Sequence, residues 1–354
     1  MQYIGNKQTL VESIHNIMNK YGVVGESFMD LFAGTQSVGI YFKKHGYKII
    51  SNDWQYYSYV LGKAFIENNE KLNFENICNH LEIEPSYENI LEYLNNVEGI
   101  DGFIYENFCP TGSKDKEYQR LYFLDENGRK FDAIRTQLNV WKTEDLLNEN
   151  EYFFLLATLI ESMDKVSNTT SVYGAFLKEF KHASAKELEL KPLTIIESNK
   201  ENETYCSDGL EFIKEHSADI IYMDPPYNTR QYASNYHLLE TMALYDNPVL
   251  HGKTGMREYS NQKSPFSSKT LVKKFFSDII DNIDKTKVKF VVMSYNNEGI
   301  LPEEYIISEM SKYGEVIKEE IDYKRYRSDK DREDRKYKAD KVKEYVFILK
   351  IKQE

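Results

Sequence analysis

Cysteine is scarce in this chain: Cys78, Cys109 and Cys206 are odd in number and far apart among 354 residues. None is spaced for a zinc site or a disulfide framework, so all three are expected to be reduced and structural. No long hydrophobic run occurs either. The longest apolar stretch, residues 152–160 between Glu151 and Glu161, is half of the ~20 residues that cross a bilayer and reads as a buried helix. The opening Met1-Gln2-Tyr3-Ile4-Gly5-Asn6-Lys7 has neither a basic n-region nor an apolar h-region, so a cytoplasmic location without a membrane partner is expected. Internal repeats and low-complexity tracts are lacking as well. Positive charge is in short supply, with a formal net charge of −12, which by itself argues against a phosphate-rich partner. That average hides a gradient: residues 324–343 carry ten Lys or Arg against five Asp or Glu, interleaved with Tyr323, Tyr326 and Tyr337, as a phosphate-binding surface or an ordinary solvated charge run would. Apolar residues, at 41%, suffice for a real core, and the length suits two domains or one elaborated one.

Periodicity divides the chain into three parts. Residues 8–19 place Leu10, Ile14, Ile17 and Met18 at helical spacing. Short strands are expected at 27–32 and 47–51, with helices at 37–45 and 56–67, a series that favours a parallel sheet. From 71 to 190 the repeated strand-helix unit stops, and helices at 89–95 and 151–165 indicate an inserted domain. Strands resume at 194–197, 203–206, 219–223, 288–294, 315–322 and 344–351, with helices at 236–244, 271–284 and 303–312. The polar connection 245–268, rich in Gly, Ser and Asn, is long enough to be functional.

Three polar groups fall where strands of that sheet end. The first strand runs into Asp30-Leu31-Phe32-Ala33-Gly34-Thr35, where a glycine ahead of a helix lets backbone amides approach a ligand. The second ends in Asn52-Asp53-Trp54, placing an acid where ribose hydroxyls are held and an indole that can cover an adenine. A later strand ends in Asp224-Pro225-Pro226-Tyr227. A carboxylate, two rigid prolines and an aromatic ring suit a planar amine, gripped at its edge and stacked on its face. Singly, each pattern also fits a turn or a helix cap. Together they line the sheet edge at which such folds bind ligands.

In order and content these segments resemble the D12-class, or alpha-group, adenine-N6 DNA methyltransferases that use S-adenosylmethionine (AdoMet). Tyr3-Ile4-Gly5-Asn6-Lys7 resembles the family's N-terminal motif, in which Tyr3 and Lys7 would help hold the methionine end of the cofactor. Asp30, Phe32, Ala33, Gly34 and Thr35 resemble its glycine motif, Asp53 with Trp54 its ribose-binding position, and Ser207-Asp208 its adenine-contacting motif. Asp224 to Tyr227 then matches the catalytic motif, and Asn235-Tyr236-His237 and Ser294-Tyr295-Asn296-Asn297-Glu298 resemble later blocks. One departure is Gln36, where many members have a second glycine.

The resemblance implies an α/β fold: a Rossmann-like AdoMet-dependent sheet carrying a mainly helical inserted target-recognition domain. The expected divisions are a catalytic part at 1–70, the insertion at 71–192, and a second catalytic part at 193–354 with a DNA-facing loop at 245–268. Asp224 and the Pro225 carbonyl would accept the two N–H bonds of an adenine N6 amine and favour its attack on the methyl group. Tyr227 would stack on a base flipped out of the duplex. No metal is expected, because the methyl donor is already activated. Candidate DNA contacts are Asn235, Tyr236, Lys263, Lys269, Lys273, Lys274, Asn296, Lys324, Arg325 and Arg327, with Asn107, Lys114, Lys116, Gln119 and Arg120 able to read base edges in the insertion. Double-stranded DNA is the expected partner of a monomer or weak dimer, with a cognate restriction endonuclease as a further partner. The alternatives are the same fold acting on an RNA adenine or a cytosine amine, and a DNA-binding subunit of this fold with little activity.

Overall fold

The computed structural model describes residues 3–324 and 341–352. Among the described residues, nine strands follow in chain order: β1 Ser27–Asp30, β2 Lys48–Asp53, β3 Glu203–Cys206, β4 Ile220–Met223, β5 Leu250–His251, β6 Met256–Arg257, β7 Phe290–Asn296, β8 Gly314–Lys324 and β9 Lys341–Ile351. The chain divides into two compact units.

One unit comprises Ile4–Gly62, Ser198–Tyr232 and the described residues from Asn261 onward. It contains a seven-stranded sheet in the order β3-β2-β1-β4-β7-β9-β8. The five strands from β3 to β7 are parallel, and β9 runs antiparallel to both its neighbours. The central strands are apolar runs because helices cover both faces, leaving no solvated side to alternate with polar residues; all four residues of β4 are buried. Ile221, Met223, Val291, Met293 and Phe347 of the sheet form one core with Phe276, Ile280 and Ile306 of the helices Val272–Asn282 and Glu303–Met310. At the N-terminal ends of the strands, Asp219 accepts hydrogen bonds from the backbone N–H groups of Glu26 (2.7 Å) and Ser27 (3.1 Å) and pairs with Lys289 at 2.7 Å. Burial alone would raise its pKa, yet Lys289 and these donors hold it down at about 2.

Strand order reverses between β1 and β4: the chain moves outward through β2 and β3, then returns to build β4 and β7 on the other side. A crevice at the carboxyl ends of β1 and β4 is the ordinary ligand position of such a sheet. In register, Asp30 pairs with Tyr222 and with Ser51, so Asp30, Asp53 and Asp224 all lie at that end.

The other unit comprises Tyr3, Lys63–Glu197 and Ala233–Ser260. It is mainly helical, with Glu75–His80, Tyr87–Asn95, Phe103–Phe108, Asp125–Thr143, Glu149–Val166 and His237–Leu244, plus the β5–β6 hairpin. Glu149–Val166 begins with a reciprocal capping box, in which Asn148 Oδ1 accepts from the Glu151 N–H at 2.9 Å and Glu151 Oε2 from the Asn148 N–H at 3.0 Å. Residues 152–160 within it are all buried, as an all-round apolar helix must be. Arg135 closes the C-terminal end of His237–Leu244 by donating to the carbonyls of Met242 and Ala243, both at 3.0 Å.

Two expectations from periodicity are corrected. Residues 194–197 form no strand: Ile196 is buried, but the segment pairs with no ladder, and strand propensity reports only the fit of branched side chains to a half-buried surface. The helix expected over 56–67 is α-helical for Tyr56–Gly62 and then widens into a π turn at Lys63–Glu67, closed by the Asn68 N–H on the Lys63 carbonyl at 3.1 Å. Among the described residues, no helix is long and apolar enough to cross a membrane.

Candidate active site

Asp224 follows directly on β4, and its carboxylate joins a cluster with Tyr227 and with Lys7, Ser294 and Glu344 from three other segments. Lys7 Nζ lies 2.9 Å from Asp224 Oδ2, 2.6 Å from Tyr227 Oη, 3.2 Å from the Gly5 carbonyl and 3.4 Å from Glu344 Oε1. Tyr227 Oη lies 2.5 Å from Asp224 Oδ1 and 2.7 Å from Glu344 Oε1, and Ser294 Oγ donates to Glu344 Oε1 at 2.5 Å. The side chains of Lys7 and Glu344 are 3% and 5% exposed and that of Asp224 is 16% exposed, so Asp224 is more open than either. Burial would lower the pKa of Lys7, but Asp224 and Glu344 hold its ammonium above the usual range. Burial pushes Asp224 up, with Glu344 adding to the rise and Lys7 opposing it.

Local features bring these groups together. Gly5, with φ of +81°, sits where a Cβ would stand 2.9 Å from Tyr232 Oη, and that hydroxyl donates to the Ile4 carbonyl at 3.1 Å. The N-terminal turn is thereby fixed before the helix Val11–Lys20, with Lys7 directed to the β4 end. The Ile300 N–H donates to the Tyr227 carbonyl at 3.0 Å, and Tyr295 meets the Tyr227 ring edge-on at 4.9 Å. Pro225 is buried and Pro226 half-buried between them.

The glycine turn after β1 is built to be narrow. Gly34 has φ of +53° and donates its N–H to Asp53 Oδ2 at 2.8 Å, while Asp53 Oδ1 accepts from the Gln55 N–H at 2.9 Å. Gln36 also adopts a left-handed conformation, φ +65°, which explains why glycine suits this position. Its side chain is fully buried behind the turn, donating to the Ser58 carbonyl at 3.0 Å and accepting from Ser51 Oγ at 2.6 Å. The amide therefore braces the turn from inside instead of filling its outer face.

Asp30 is buried, and neither of its oxygens has a hydrogen-bond partner among the described residues. Burial, reinforced by the charges of Asp224 and Asp53, pushes its pKa up to about 8, with the backbone N–H groups of Gly39 and Phe32 opposing the rise. Ala33 is buried and Thr35 half-buried beside it. Phe32 packs edge-on against Phe266 at 5.4 Å, and only a glycine at 209 lets it lie there, since a Cβ would come within 2.8 Å of its ring. Asp208 caps the helix Gly209–Glu215, Oδ1 accepting from Leu210 N–H at 2.9 Å and Glu211 N–H at 3.2 Å. Trp54 is half-buried, its carbonyl accepting from Gln262 Nε2 at 3.2 Å.

Sequence reasoning missed two contributors. Asn52 joins three strand ends by donating to the carbonyls of Leu31 (3.3 Å) and Ser207 (3.1 Å) and accepting from the Ser207 N–H at 3.1 Å. Glu344 is the other, and its one signal was a carboxylate opening an otherwise apolar strand run.

The expected DNA contacts are scattered. Tyr236 is fully buried and stacked on Tyr3 at 4.1 Å, and the Asn235 carbonyl accepts from the Tyr173 N–H at 2.7 Å. Arg120 is buried, donating to the carbonyls of Asn107, Gly252 and Lys253; Lys116 donates to Asn107 Oδ1 and Gln119 to the Pro110 carbonyl. Lys114, Lys263 and Lys269 are exposed. Lys273 lies over the Tyr305 ring and Lys274 pairs with Asp278. Asn296 Oδ1 accepts from the Glu298 N–H at 3.0 Å. Arg325 and Arg327, with Tyr326 and Tyr337, lie outside the described residues, and so does the side chain of Lys324.

A carboxylate, tyrosine and lysine gathered at the switch point of a parallel sheet carry the family pattern into three dimensions. The family model for D12 class N6 adenine-specific DNA methyltransferases matches residues 3–308. The chain belongs to that class. It is 39% identical to the type II methyltransferase M.NlaIII of Neisseria lactamica, over 99% of each chain. It is also 39% identical to the type II methyltransferase M.FokI of Planomicrobium okeanokoites, over 99% of this chain and 52% of the relative, so it spans about half of that protein. It is 32% identical to the type II methyltransferase M.CviAII of Paramecium bursaria Chlorella virus 1, over 99% of this chain and 98% of the relative. The chain is thus a DNA methyltransferase acting at adenine N6, and its class implies a methyl donor of the AdoMet type.

Proposed function

We propose that this enzyme takes AdoMet at the carboxyl ends of β1 to β3 and methylates an adenine flipped from duplex DNA against Asp224, as the modification partner of a type II restriction endonuclease. The residues present fit the cofactor. Asp30, buried and without a hydrogen-bond partner among the described residues, would ionise more readily beside a cation, which AdoMet carries, and the left-handed turn at Gly34 leaves backbone free to approach it. Asp53, Trp54, Ser207 and Asp208 would hold its nucleoside, and Phe32, Ala33 and Thr35 would line its approach. When bound, AdoMet supplies a methyl group already activated on a sulfonium centre.

The chain's own residues would do the rest. Asp224 accepts an N–H bond of the amine and so favours the positive charge that nitrogen develops as it reacts. The Pro225 carbonyl accepts the second N–H, and the Pro-Pro unit keeps both acceptors fixed. Tyr227 offers its ring to the flipped base, offsetting an extrusion cost of a few kcal/mol. Lys7 holds Asp224 in place by its ammonium. Lys263, Lys269 and Lys273 would position the DNA backbone without reading sequence.

The observation that carries this reading is the Asp224 carboxylate at the strand end, held by Lys7 and Tyr227 beside the unpartnered Asp30. Purified protein incubated with methyl-labelled AdoMet and mixed-sequence duplex DNA is expected to yield N6-methyladenine on nucleoside digestion, and Asp224→Ala is expected to lose on the order of 10³-fold in rate. Label recovered as a methylated cytosine, or full activity in Asp224→Ala, would sink the assignment.

A further inference from the structure

The contacts around Tyr227 require more protons than the ionised side chains possess. Its hydroxyl lies 2.5 Å from Asp224 Oδ1 and 2.7 Å from Glu344 Oε1, and both are carboxylate oxygens that only accept when ionised. A phenol has one proton to give. Lys7 does not supply the second, because its ammonium donates to the Gly5 carbonyl, Tyr227 Oη and Asp224 Oδ2 and pairs with Glu344 Oε1 at 3.4 Å from its own side, placing no proton between Tyr227 Oη and Glu344. Nor does Ser294, whose single proton faces Glu344 Oε1 from its own side at 2.5 Å. One oxygen pair would then stand at hydrogen-bond distance with no proton between.

Charge leads to the same count. Two carboxylates and one ammonium in a nearly closed site would leave a buried negative charge uncompensated, at a cost of several kcal/mol. One added proton leaves a single carboxylate opposite a single ammonium.

We propose that Asp224 and Glu344 share one proton through the Tyr227 hydroxyl, so that the catalytic carboxylate is half of a coupled pair. This rests on Asp224 being the amine acceptor argued above. The transfer is balanced: the phenol passes its proton to one carboxylate as it takes one from the other, and the total is unchanged. With the proton on Glu344, Asp224 is ionised and free to accept the amine; with it on Asp224, the acceptor is blocked. Glu344 is therefore a positioning residue acting through Tyr227. It lies beyond residues 3–308, the span of the family match, and it reaches the site because β9 pairs Glu344 with Asn296 on β7. The other ionisable groups facing the pair are Lys7, Tyr222 and Asp30.

The test compares Glu344→Gln, Tyr227→Phe and the double variant with the parent enzyme, using AdoMet and mixed-sequence duplex DNA. Glu344→Gln keeps the shape of the side chain but not its acidity, and Tyr227→Phe keeps the ring but removes the bridge. Each is expected to lower kcat by ~10²-fold and to remove one ionisation from the pH profile of kcat. The double variant is expected to be no slower than the slower single one, since both break one coupling. Infrared spectra of the protein without substrate should lose one protonated-carboxyl C=O band in Glu344→Gln. Parent-like kcat and pH profile in Glu344→Gln, or additive losses in the double variant, would overturn the proposal. If Glu344→Gln does not fold, an unchanged pH profile in Tyr227→Phe would overturn it equally. Asp224→Ala separates the two levels: if it is inactive while Glu344→Gln is unaffected, only the proton pair fails, and if it is active, the whole site reading fails.

Discussion

Gln36 holds Ser58 from beneath the glycine turn: its Nε2 donates to the Ser58 carbonyl at 3.0 Å and to Ser58 Oγ at 3.2 Å. The bonds are buried, yet the residue making them adopts a left-handed backbone that costs roughly 1 kcal/mol for a side chain other than glycine. Gln36→Ala should lose the bonds and keep the strain, destabilising the fold by about 2–3 kcal/mol. Gln36→Gly should lose the bonds but relieve the strain, and so cost about 1 kcal/mol less. Urea unfolding of both variants checks this, and equal losses would remove strain from the account.

Asp30 should trade stability for binding. Its pKa of about 8 in the fold, against 3.8 for the free group, means that the unfolded chain ionises more readily. Stability is therefore lost as pH rises from about 4 to 8. Asp30→Asn removes the penalty and should raise stability at pH 8 by on the order of a few kcal/mol, while weakening AdoMet binding at least 10-fold. Thermal melts across pH, paired with calorimetric titration of AdoMet, measure both halves.

His237 is expected to set the acid limit of the helical unit. Burial, chiefly, lowers its pKa from 6.5 to about 4, with the Tyr173 carbonyl opposing and the charges of Arg120 and Arg257 assisting. The neutral ring is favoured in the fold, so its stabilisation is complete above pH 6.5 and is lost as pH falls towards 4. The loss amounts to roughly 3 kcal/mol at the acid end. His237→Gln should flatten that limb in pH-dependent unfolding, even if its absolute stability is lower.

Arg120 fixes the turn of the β5–β6 hairpin through the carbonyls of Gly252 (3.0 Å) and Lys253 (3.1 Å), with a third bond to Asn107 at 3.1 Å. A lysine cannot reproduce this fork. Arg120→Lys should cost about 2 kcal/mol in stability, weaken duplex binding by anisotropy, and leave AdoMet affinity unchanged. Equal weakening for both ligands would mean that the hairpin has no separate role in DNA binding.

Much of this arrangement was legible in the residues. The strands leading to Asp30, Asp53 and Asp224 hold short apolar stretches bounded by polar turn residues, and their alternation with helical stretches marks them as strands of a parallel sheet. The strand expected at 194–197 failed because its branched residues meet the same local preference without a neighbour to pair with. Asp208 was expected only at the adenine of the cofactor, and in the fold its Oδ1 also caps a helix. Glu344 was hidden for a different reason. Nothing local ties a glutamate within β9 to a lysine near the N-terminus, and the antiparallel placement of β9 brings them to 3.4 Å.

That placement also bears on when the protein becomes an enzyme. β9 is made after β8 yet lies between β7 and β8, so synthesis order and sheet order differ. On the ribosome, the emerging chain can assemble β1 to β4, and with them Asp30, Asp53 and Asp224, before Glu344 exists. The carboxylate pair argued above would then be complete only once Lys341–Ile351 has emerged and inserted between β7 and β8.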